Sequence, residues 1–214
     1  SAFYEAFGPS GLVALRETIS YINAVAKEVP VILDAKRADI GNTNKGYVES
    51  AFDYLRADAI TVNPYLGQEA LRPFFDRADK GIFVLCRTSN PGAGEFQDLY
   101  VLRDEERGFK NERPLWKFVA EQVCDNWNKN NNCGLVVGAT YPEELREVRS
   151  IVGDMPILIP GVGAQGGDVE KTVKAGKDSR GKGMIVNSSR GIIFAEDPRQ
   201  ETLKLHELVT KGIG

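Results

Sequence analysis

Three charged side chains at the end of an apolar run have types and a spacing suited to proton transfer. The run 31–33 leads directly into Asp34, Lys36 and Asp39. Because side chains alternate along a strand, we expect Asp34 and Lys36 on one face of it. A lysine between two carboxylates stays protonated, so the array has the form of a general acid. A structural ion pair between Asp34 and Lys36 is the simpler alternative, and the spacing alone leaves it open.

A glycine-rich turn after a later apolar run could bind phosphate. The run 157–159 leads into the segment 160–168, whose sequence is PGVGAQGGD. Backbone amides in such a turn, ahead of a helix, can hold a phosphate group. The glycines also match the dinucleotide-binding fingerprint, but the next strand ends in NSSR at 187–190, which offers no acidic ligand for a ribose.

Arg190 is a second candidate for binding phosphate. Its guanidinium offers a fixed fork of donors that suits a phosphate dianion. Barrel enzymes commonly bind phosphate with the loops after their last two strands, and the segment 160–168 and Arg190 follow the last two apolar runs of this chain. A surface ion pair is the alternative for this arginine.

Six apolar, β-branched runs would position these groups, and segments with helical spacing separate them. The near-continuous apolar character of the runs is typical of parallel strands covered on both faces. Helices are predicted after Pro9 and after Pro114. The alternation predicts an α/β fold, either an open doubly wound sheet or a closed (β/α)8 barrel. The six runs are 31–33, 59–62, 81–85, 134–137, 156–159 and 183–186.

The composition is that of an ordinary globular chain. Its 214 residues, 42% hydrophobic and 27% charged, fit one domain. The formal net charge of -3 gives no general attraction to nucleic acid or to an anionic membrane. No apolar run approaches the roughly 20 residues that cross a bilayer. The three cysteines lack a CxxC spacing and are predicted to be reduced thiols, and His206 is predicted to be structural or exposed.

One connection is much longer than the others and is predicted to be a lid. It runs from Thr88 to about Arg113, whereas loops in α/β units usually have about 2 to 6 residues. A surface insertion without a function is the alternative.

Together these motifs resemble the orotidine 5'-monophosphate decarboxylase family, in its bacterial type 2 branch. The likeness covers nearly the whole chain. It rests on five motifs in order, which are LDAKRADIGNT at 33–43, VNPYLG at 62–67, TSNPG at 88–92, PGVGAQGG at 160–167 and NSSRG at 187–191.

The resemblance implies the closed form of the fold, a (β/α)8 TIM barrel of the phosphate-binding type, as one domain over residues 1–214. It implies a cytoplasmic lyase of pyrimidine biosynthesis that converts orotidine 5'-monophosphate to UMP without a metal or any other cofactor. The enzyme would be a homodimer that binds neither nucleic acid nor membranes.

The resemblance also implies the catalytic residues. Lys36 would donate a proton to C6 of the pyrimidine, and Asp34 and Asp39 would flank it. Asp39, Ile40 and Thr43 would come from the partner subunit.

A larger set of residues is implied to bind the substrate. Ser89 would meet the pyrimidine ring, Gln165 would close over the phosphate, and Arg190 would bind it. The implied set is Ile40, Thr43, Asn63, Ser89, Pro160, Gly161, Val162, Gly163, Gln165, Ser189 and Arg190.

The family pattern also expects an aspartate on the first strand and a lysine on the second, upstream of residues 1–7. Neither is present in the sequence. Residues 1–7 are predicted to be the tail of a strand that began earlier, so the chain is expected to lack the first strand and part of the second.

Two other functions stay open. One is a metal-dependent sugar-phosphate decarboxylase or aldolase of the same barrel group, although Asn63 and Ser89 stand at strand ends where acidic Mg²⁺ ligands would help. The other is a nucleotide-binding barrel without catalytic activity.

Overall fold

The computed structural model describes residues 1–101, 112–162 and 168–214. The chain divides into two compact units. The first consists of Ser1–Leu85 and Trp127–Cys133, and the second consists of Cys86–Asn126 and Gly134–Gly214. In both units parallel strands alternate with helices, which confirms the predicted α/β class.

Three neighbouring parallel strands form the centre of the first unit. They are β1 (Ile32–Arg37), β2 (Ala59–Val62) and β3 (Gly81–Arg87), the last of which runs two residues past the unit. Ala59 is paired with Ile32 of β1 and with Gly81 of β3. The pairing of β1 with β2 is interrupted between Leu33 and Arg37, next to the predicted catalytic residues.

The helices of the first unit follow the predicted start signals. Helix α2 has Pro9 in its first turn and buries Leu15 and Ile19, as expected for a helix that begins with proline and turns one apolar face to a core. The helices are α1 (Ala2–Glu5), α2 (Gly8–Val25), α3 (Gly41–Val48), a π-helical continuation (Glu49–Tyr54), a 3₁₀ turn (Pro64–Leu66) and α4 (Gly67–Phe75).

The prediction that residues 1–7 form the tail of a strand is wrong. Ala2–Glu5 is a helical turn, in which the main-chain N–H of Glu5 donates to the carbonyl of Ser1 at 3.1 Å. Ser1 Oγ donates to the Glu5 carboxylate at 2.8 Å, and the same carboxylate pairs with Arg37. These local bonds favour a helical turn over an extended strand.

The second unit contains three further parallel strands, paired in the order β6 (Cys133–Val137), β7 (Ile157–Pro160) and β8 (Met184–Asn187). A short antiparallel pair, β4 (Tyr100–Val101) and β5 (Arg113–Pro114), lies within the long connection. The helices are α5 (Gly94–Gln97), α6 (Leu115–Glu121) with a π-helical continuation (Gln122–Trp127), α7 (Pro142–Val152), α8 (Val169–Gly176), α9 (Arg190–Ile193) and α10 (Pro198–Ile213).

The strands carry the cores of both units. In the first unit Ile60, Val62, Ile82 and Val84 have no exposed surface, and in the second the same is true of Leu135, Val137, Ile157 and Ile159. Burial of such side chains contributes about 1.5 to 3 kcal/mol each. β1 and β8 are less buried, since Leu33 is the one buried residue of β1 and Ile185 of β8 is 37% exposed. The strand ends that carry the polar residues are therefore attached to neighbouring strands that are fully packed.

The buried guanidinium of Arg149 bonds to the segments that precede β7 and β8. Arg149 of α7 is only 9% exposed. Its guanidinium donates to four main-chain carbonyls at 2.6 to 2.8 Å, those of Gly153, Met155, Gly176 and Gly183. Burial lowers the pKa of Arg149, while the nearby Asp178 and Asp154 carboxylates oppose that change.

The cysteines form no disulfide, in agreement with the prediction of reduced thiols. Burial raises the pKa of Cys86 and that of Cys133 to about 12, so both thiols stay protonated near neutral pH. His206 lies exposed in α10, as the sequence predicted. Within the described ranges, no helix combines the length and the apolar character needed to cross a membrane.

Candidate active site

The predicted proton-transfer pair meets at the end of β1. Lys36 Nζ lies 2.6 Å from Asp34 Oδ1, and the two side chains are 50% and 56% exposed. An ion pair this exposed contributes at most about 1 kcal/mol to stability. The pair therefore contributes little to the stability of the fold and leaves a charged ammonium accessible to a ligand.

Thr61 on β2 joins both members of this pair. Its hydroxyl donates to Asp34 Oδ1 at 2.8 Å and accepts from the main-chain N–H of Lys36 at 2.9 Å. The side chain has no exposed surface. Thr61 is not among the predicted site residues, although a threonine inside the apolar run 59–62 is a visible signal, because a buried hydroxyl requires a partner.

Lys36 adopts an unusual backbone conformation. Its φ is +48°, in the left-handed region that glycine favours. A residue with a Cβ pays roughly 1 to 2 kcal/mol for that conformation. Such strain is found mainly where the surrounding structure enforces it for a functional reason.

The carboxylate of Asp34 is held ionised. Partial burial raises its pKa, but the hydrogen bonds from Lys36 and Thr61 and the charge of Lys36 outweigh that effect and hold the pKa below its ordinary value. Near neutral pH the group is therefore an anion beside a cation.

Asp39 lies beyond β1 and has different partners. Its carboxylate accepts a hydrogen bond from the main-chain N–H of Ile40 at 2.7 Å. The buried side chain of Asn44 fixes the same segment, since its amide bonds to the main chain of Asp39 in both directions and to the carbonyl of Ala70. Asp34 and Lys36 are thus brought together, and Asp39 is held separately by α3.

Ile40 and Thr43 are both exposed at the start of α3, and Ile40 is 62% exposed. A surface groove of about 660 Å³ runs along this face, with Ile40 and Val48 among its apolar residues and Arg72 among its charged ones.

Asn63 closes the end of β2. Its main-chain N–H donates to the carbonyl of Arg37, and its side-chain oxygen accepts from the N–H of Tyr65, which starts the 3₁₀ turn. The side chain is exposed at the same strand ends as Lys36. Its capping role accounts for the residue structurally without involving its amide nitrogen.

In the second unit, Ser89 follows β3 and packs against the end of β6. A Cβ at Gly138 would lie 2.6 Å from the Cβ of Ser89 and 3.0 Å from its main-chain nitrogen. The main chain at Gly138 also donates to the carbonyl of Arg87 at 2.8 Å. Only glycine allows this close approach, so the absence of a side chain at Gly138 lets Ser89 pack against the main chain there.

The beginning of the long connection is tied to the end of β3. Arg87 is 4% exposed, and its guanidinium donates to Asp98 and lies 4.3 Å from the ring centre of Tyr141. Gln97 accepts from the N–H of Thr88 and donates to its hydroxyl. The prediction of a lid concerns a connection whose residues 102–111 lie outside the described part of the chain, and it stays a prediction.

The glycine-rich turn is described only in its first part. Pro160 ends β7 and accepts from the N–H of Ala139 at 3.0 Å, Gly161 has a φ of +90°, and Val162 is fully buried. The positive φ of Gly161 gives this turn a conformation that other residues rarely adopt. Gly163 and Gln165 lie outside the described residues.

Ser189 and Arg190 stand at the end of β8, both exposed. Ser189 Oγ donates to the side chain of Asn187, and the carbonyl of Ser189 accepts from the first turns of α9. Arg190 is the first residue of that helix, where its guanidinium is accessible to an anion.

The described residues contain no group of three or more histidine, cysteine, aspartate or glutamate side chains that could hold a metal ion. The carboxylate of Asp34, beside Lys36, already accepts hydrogen bonds from Lys36 Nζ and from the Thr61 hydroxyl.

Comparison with known proteins identifies relatives over most of the chain. A family model described as the orotidine 5'-phosphate decarboxylase / HUMPS family matches residues 1–205. Proteins named orotidine 5'-phosphate decarboxylase are similar to this chain. The one from Ralstonia pickettii is 54% identical over 85% of the chain and 64% of its own length, and the one from Halorubrum lacusprofundi is 57% identical over 91% and 66%.

Solved structures agree with these relatives. The structure of Leishmania donovani OMP decarboxylase superposes with a TM-score of 0.88 and 42% identity, and covers 99% of this chain and 78% of that one. The predicted barrel-type α/β fold is therefore confirmed. The chain spans about two thirds of the length of the curated relatives named above. On this evidence the chain belongs to the orotidine 5'-phosphate decarboxylase / HUMPS family.

Proposed function

We propose that the protein decarboxylates orotidine 5'-monophosphate to UMP in pyrimidine biosynthesis, with Lys36 as the proton donor. The observation that carries the proposal is the cluster at the end of β1, where the accessible ammonium of Lys36 pairs with Asp34 and where Thr61 bonds to Asp34 and to the strained main chain of Lys36. Family membership favours this reaction over other uses of such a cluster.

The ammonium of Lys36 supplies what the reaction needs. When the bond from C6 to the carboxylate breaks, CO2 leaves and the electron pair stays on C6, where the ring delocalises it poorly. A cation about 4 Å away would stabilise that charge by about 4 kcal/mol at an effective dielectric near 20. An N–H proton of Lys36 then passes to C6 and completes UMP.

One lysine supplies only part of the rate enhancement that such a reaction requires. We infer that binding of the phosphate contributes the remainder by holding the substrate in its reactive position. The proposed phosphate ligands are Arg190, Ser189, the side chain of Gln165 and the main-chain N–H groups of Gly161, Val162 and Gly163. Pro160, which has no N–H, is proposed to shape the start of the turn. Ser89 and Asn63 are proposed to contact the pyrimidine and ribose part.

Asp39, Ile40 and Thr43 are proposed to act across a homodimer interface. The groove beside Ile40, which includes Val48 and Arg72, supports this proposal, since it offers a surface that a second copy would cover. A cytoplasmic location and a single domain over residues 1–214 stay predictions.

The test mixes the complete protein with orotidine 5'-monophosphate in the presence of a metal chelator and follows the loss of orotate absorbance. We expect turnover with the chelator present. Turnover that stops with the chelator and returns with Mg²⁺ would favour a metal-dependent enzyme instead. A folded, complete protein that binds the nucleotide with no change in absorbance would refute the proposal and leave a binding function.

A further inference from the structure

We infer that Thr61 is a positioning residue for the reaction, which sets the geometry and the charge of the Asp34 and Lys36 pair through a single hydroxyl. This inference rests on the proposed decarboxylation, because that reaction gives the pair its task. Nothing in the sequence motifs marks Thr61 beyond its place in an apolar strand.

The first argument is burial. Thr61 lies between Ile60 and Val62, and all three residues have no exposed surface. Valine has nearly the same shape as threonine and would bury no polar atom, so the hydroxyl costs free energy unless it is hydrogen-bonded. The hydroxyl donates its proton to Asp34 and accepts from the main-chain N–H of Lys36.

The second argument is the register of the strands. Leu33 pairs with Ile60 and Arg37 pairs with Val62. Three residues of β1, from Asp34 to Lys36, therefore stand opposite Thr61 alone, which makes the segment a bulge. Bulges redirect side chains and are common beside active sites.

The third argument is that the hydroxyl replaces missing strand pairing. The main-chain N–H of Lys36 donates to Thr61 Oγ1 rather than to a carbonyl of β2. With its φ of +48°, Lys36 needs such a bond to hold its strained conformation. The direction of the lysine side chain thus depends on the threonine.

The groups around Asp34 define how a change at Thr61 would be detected. Its carboxylate faces the Lys36 ammonium on the same strand and the Thr61 hydroxyl on β2, while the main-chain nitrogen of Ser1 donates to its main-chain carbonyl. Loss of the Thr61 bond would raise the pKa of Asp34, because fewer donors would then stabilise the anion.

The test compares Thr61→Val with Thr61→Ser, which keeps the hydroxyl, and with Thr172→Val as a control. Thr172 is fully buried, and its hydroxyl has no partner among the described residues, so its removal should leave activity unchanged. For Thr61→Val we expect kcat to fall about ten- to a hundredfold, the effect of losing a hydrogen bond to a charged group, while KM changes little. Thr61→Ser should recover most of the loss.

A second readout is independent of turnover. The pKa of the Asp34 carboxyl, followed by carbon NMR, should rise in Thr61→Val and return in Thr61→Ser, and the acidic limb of the kcat profile should move to higher pH with it. If Thr61→Val keeps the kcat and the Asp34 pKa of a wild type that turns over substrate, the inference is wrong and the proposed function stands. If the wild type has no activity, the proposed function fails, and the NMR comparison still decides whether Thr61 controls Asp34.

Discussion

Two cations of this protein are held in opposite ways. Lys36 is half exposed, bonds to one carboxylate and sits on a left-handed backbone. Arg149 is nearly buried and gives its donors to four main-chain carbonyls. The Lys36 ammonium keeps donors available for a ligand and stabilises the fold little. The donors of the Arg149 guanidinium are used by main-chain carbonyls within the fold.

The difference separates a residue that performs chemistry from one that maintains architecture. A buried cation whose donors are all satisfied has nothing left to offer a substrate, and its loss leaves several carbonyls without partners. Lys36, a strained and accessible cation, contributes little to stability, and its place beside Asp34 and Thr61 points to a function. Substitutions at these two residues should therefore have opposite consequences.

The largest effect is expected for Lys36→Gly. Removing a general acid lowers turnover by about 10² to 10⁴-fold. The free energy of unfolding should stay within about 1 kcal/mol of the wild type, because relief of backbone strain offsets the loss of an exposed ion pair. The assay pairs orotidine 5'-monophosphate turnover with urea unfolding.

The matched control is Arg56→Gly, since exposed Arg56 also has a positive φ, of +61°. It should gain about 0.5 to 1 kcal/mol in stability with turnover unchanged. A Lys36→Gly protein with wild-type turnover would remove the distinction between the two cations.

Arg149→Met should show the reverse pattern. Loss of the guanidinium removes one donor from each of four carbonyls, of which the Gly183 carbonyl keeps the main-chain N–H of Ile157, and we expect the free energy of unfolding to fall by about 3 to 5 kcal/mol. Urea unfolding measures the change, and the turnover of the protein that remains folded should be preserved.

Arg146→Met is the control on the same helix, where Arg146 is 57% exposed and, among the described residues, forms an ion pair only with Glu143. Its cost should be at most about 0.5 kcal/mol. If Arg146→Met and Arg149→Met destabilise the protein equally, the four carbonyl bonds do not have the structural importance given to them here.

Gly138→Ala tests whether the second unit positions its residues by packing rather than by charge. The added Cβ would overlap Ser89, so we expect a loss of about 1 to 3 kcal/mol in stability and a higher KM for the substrate. Gly46→Ala, in the interior of α3 with nothing within 4 Å of an added Cβ, should be neutral or stabilising. A Gly138→Ala protein with unchanged KM would argue against a substrate contact at Ser89.

The smallest expected effect is on stability at acidic pH and concerns Asp178. The side chain of Asp178 is fully buried, which raises its pKa, but bonds from Arg180 and from the main chain of Lys182 prevail and lower that pKa to about 2. A depressed folded-state pKa gives stability that is present above the unfolded value and lost as pH falls through the folded one. Unfolding measured from about pH 5 to pH 2 should show a steeper loss for the wild type than for Asp178→Asn. Parallel curves would contradict this.

The sequence predicted the strands better than the site. The run 59–62 coincides with β2, because continuous apolar residues mark a buried parallel strand. Residues 1–7 were predicted wrongly, since the bonds of Ser1 and Glu5 that form the helical turn are local and leave no apolar signature.

The pair of Asp34 and Lys36 followed from a period of two, and the structure brings these side chains together. The bulge, the positive φ of Lys36 and the role of Thr61 did not follow, because they depend on how β1 aligns with β2. The contact of Gly138 with Ser89 could not be predicted either, since the two residues are 49 positions apart and no sequence pattern links them.

The most direct test of the account measures CO2 release from carboxyl-labelled orotidine 5'-monophosphate by the complete wild-type protein and by Lys36→Ala, with chelator present. We predict that the wild type releases CO2 and that Lys36→Ala releases it at least about a hundredfold more slowly while still binding UMP with a similar Kd. Release by Lys36→Ala at the wild-type rate would contradict the account, because the accessible ammonium at the end of β1 would then have no part in the reaction.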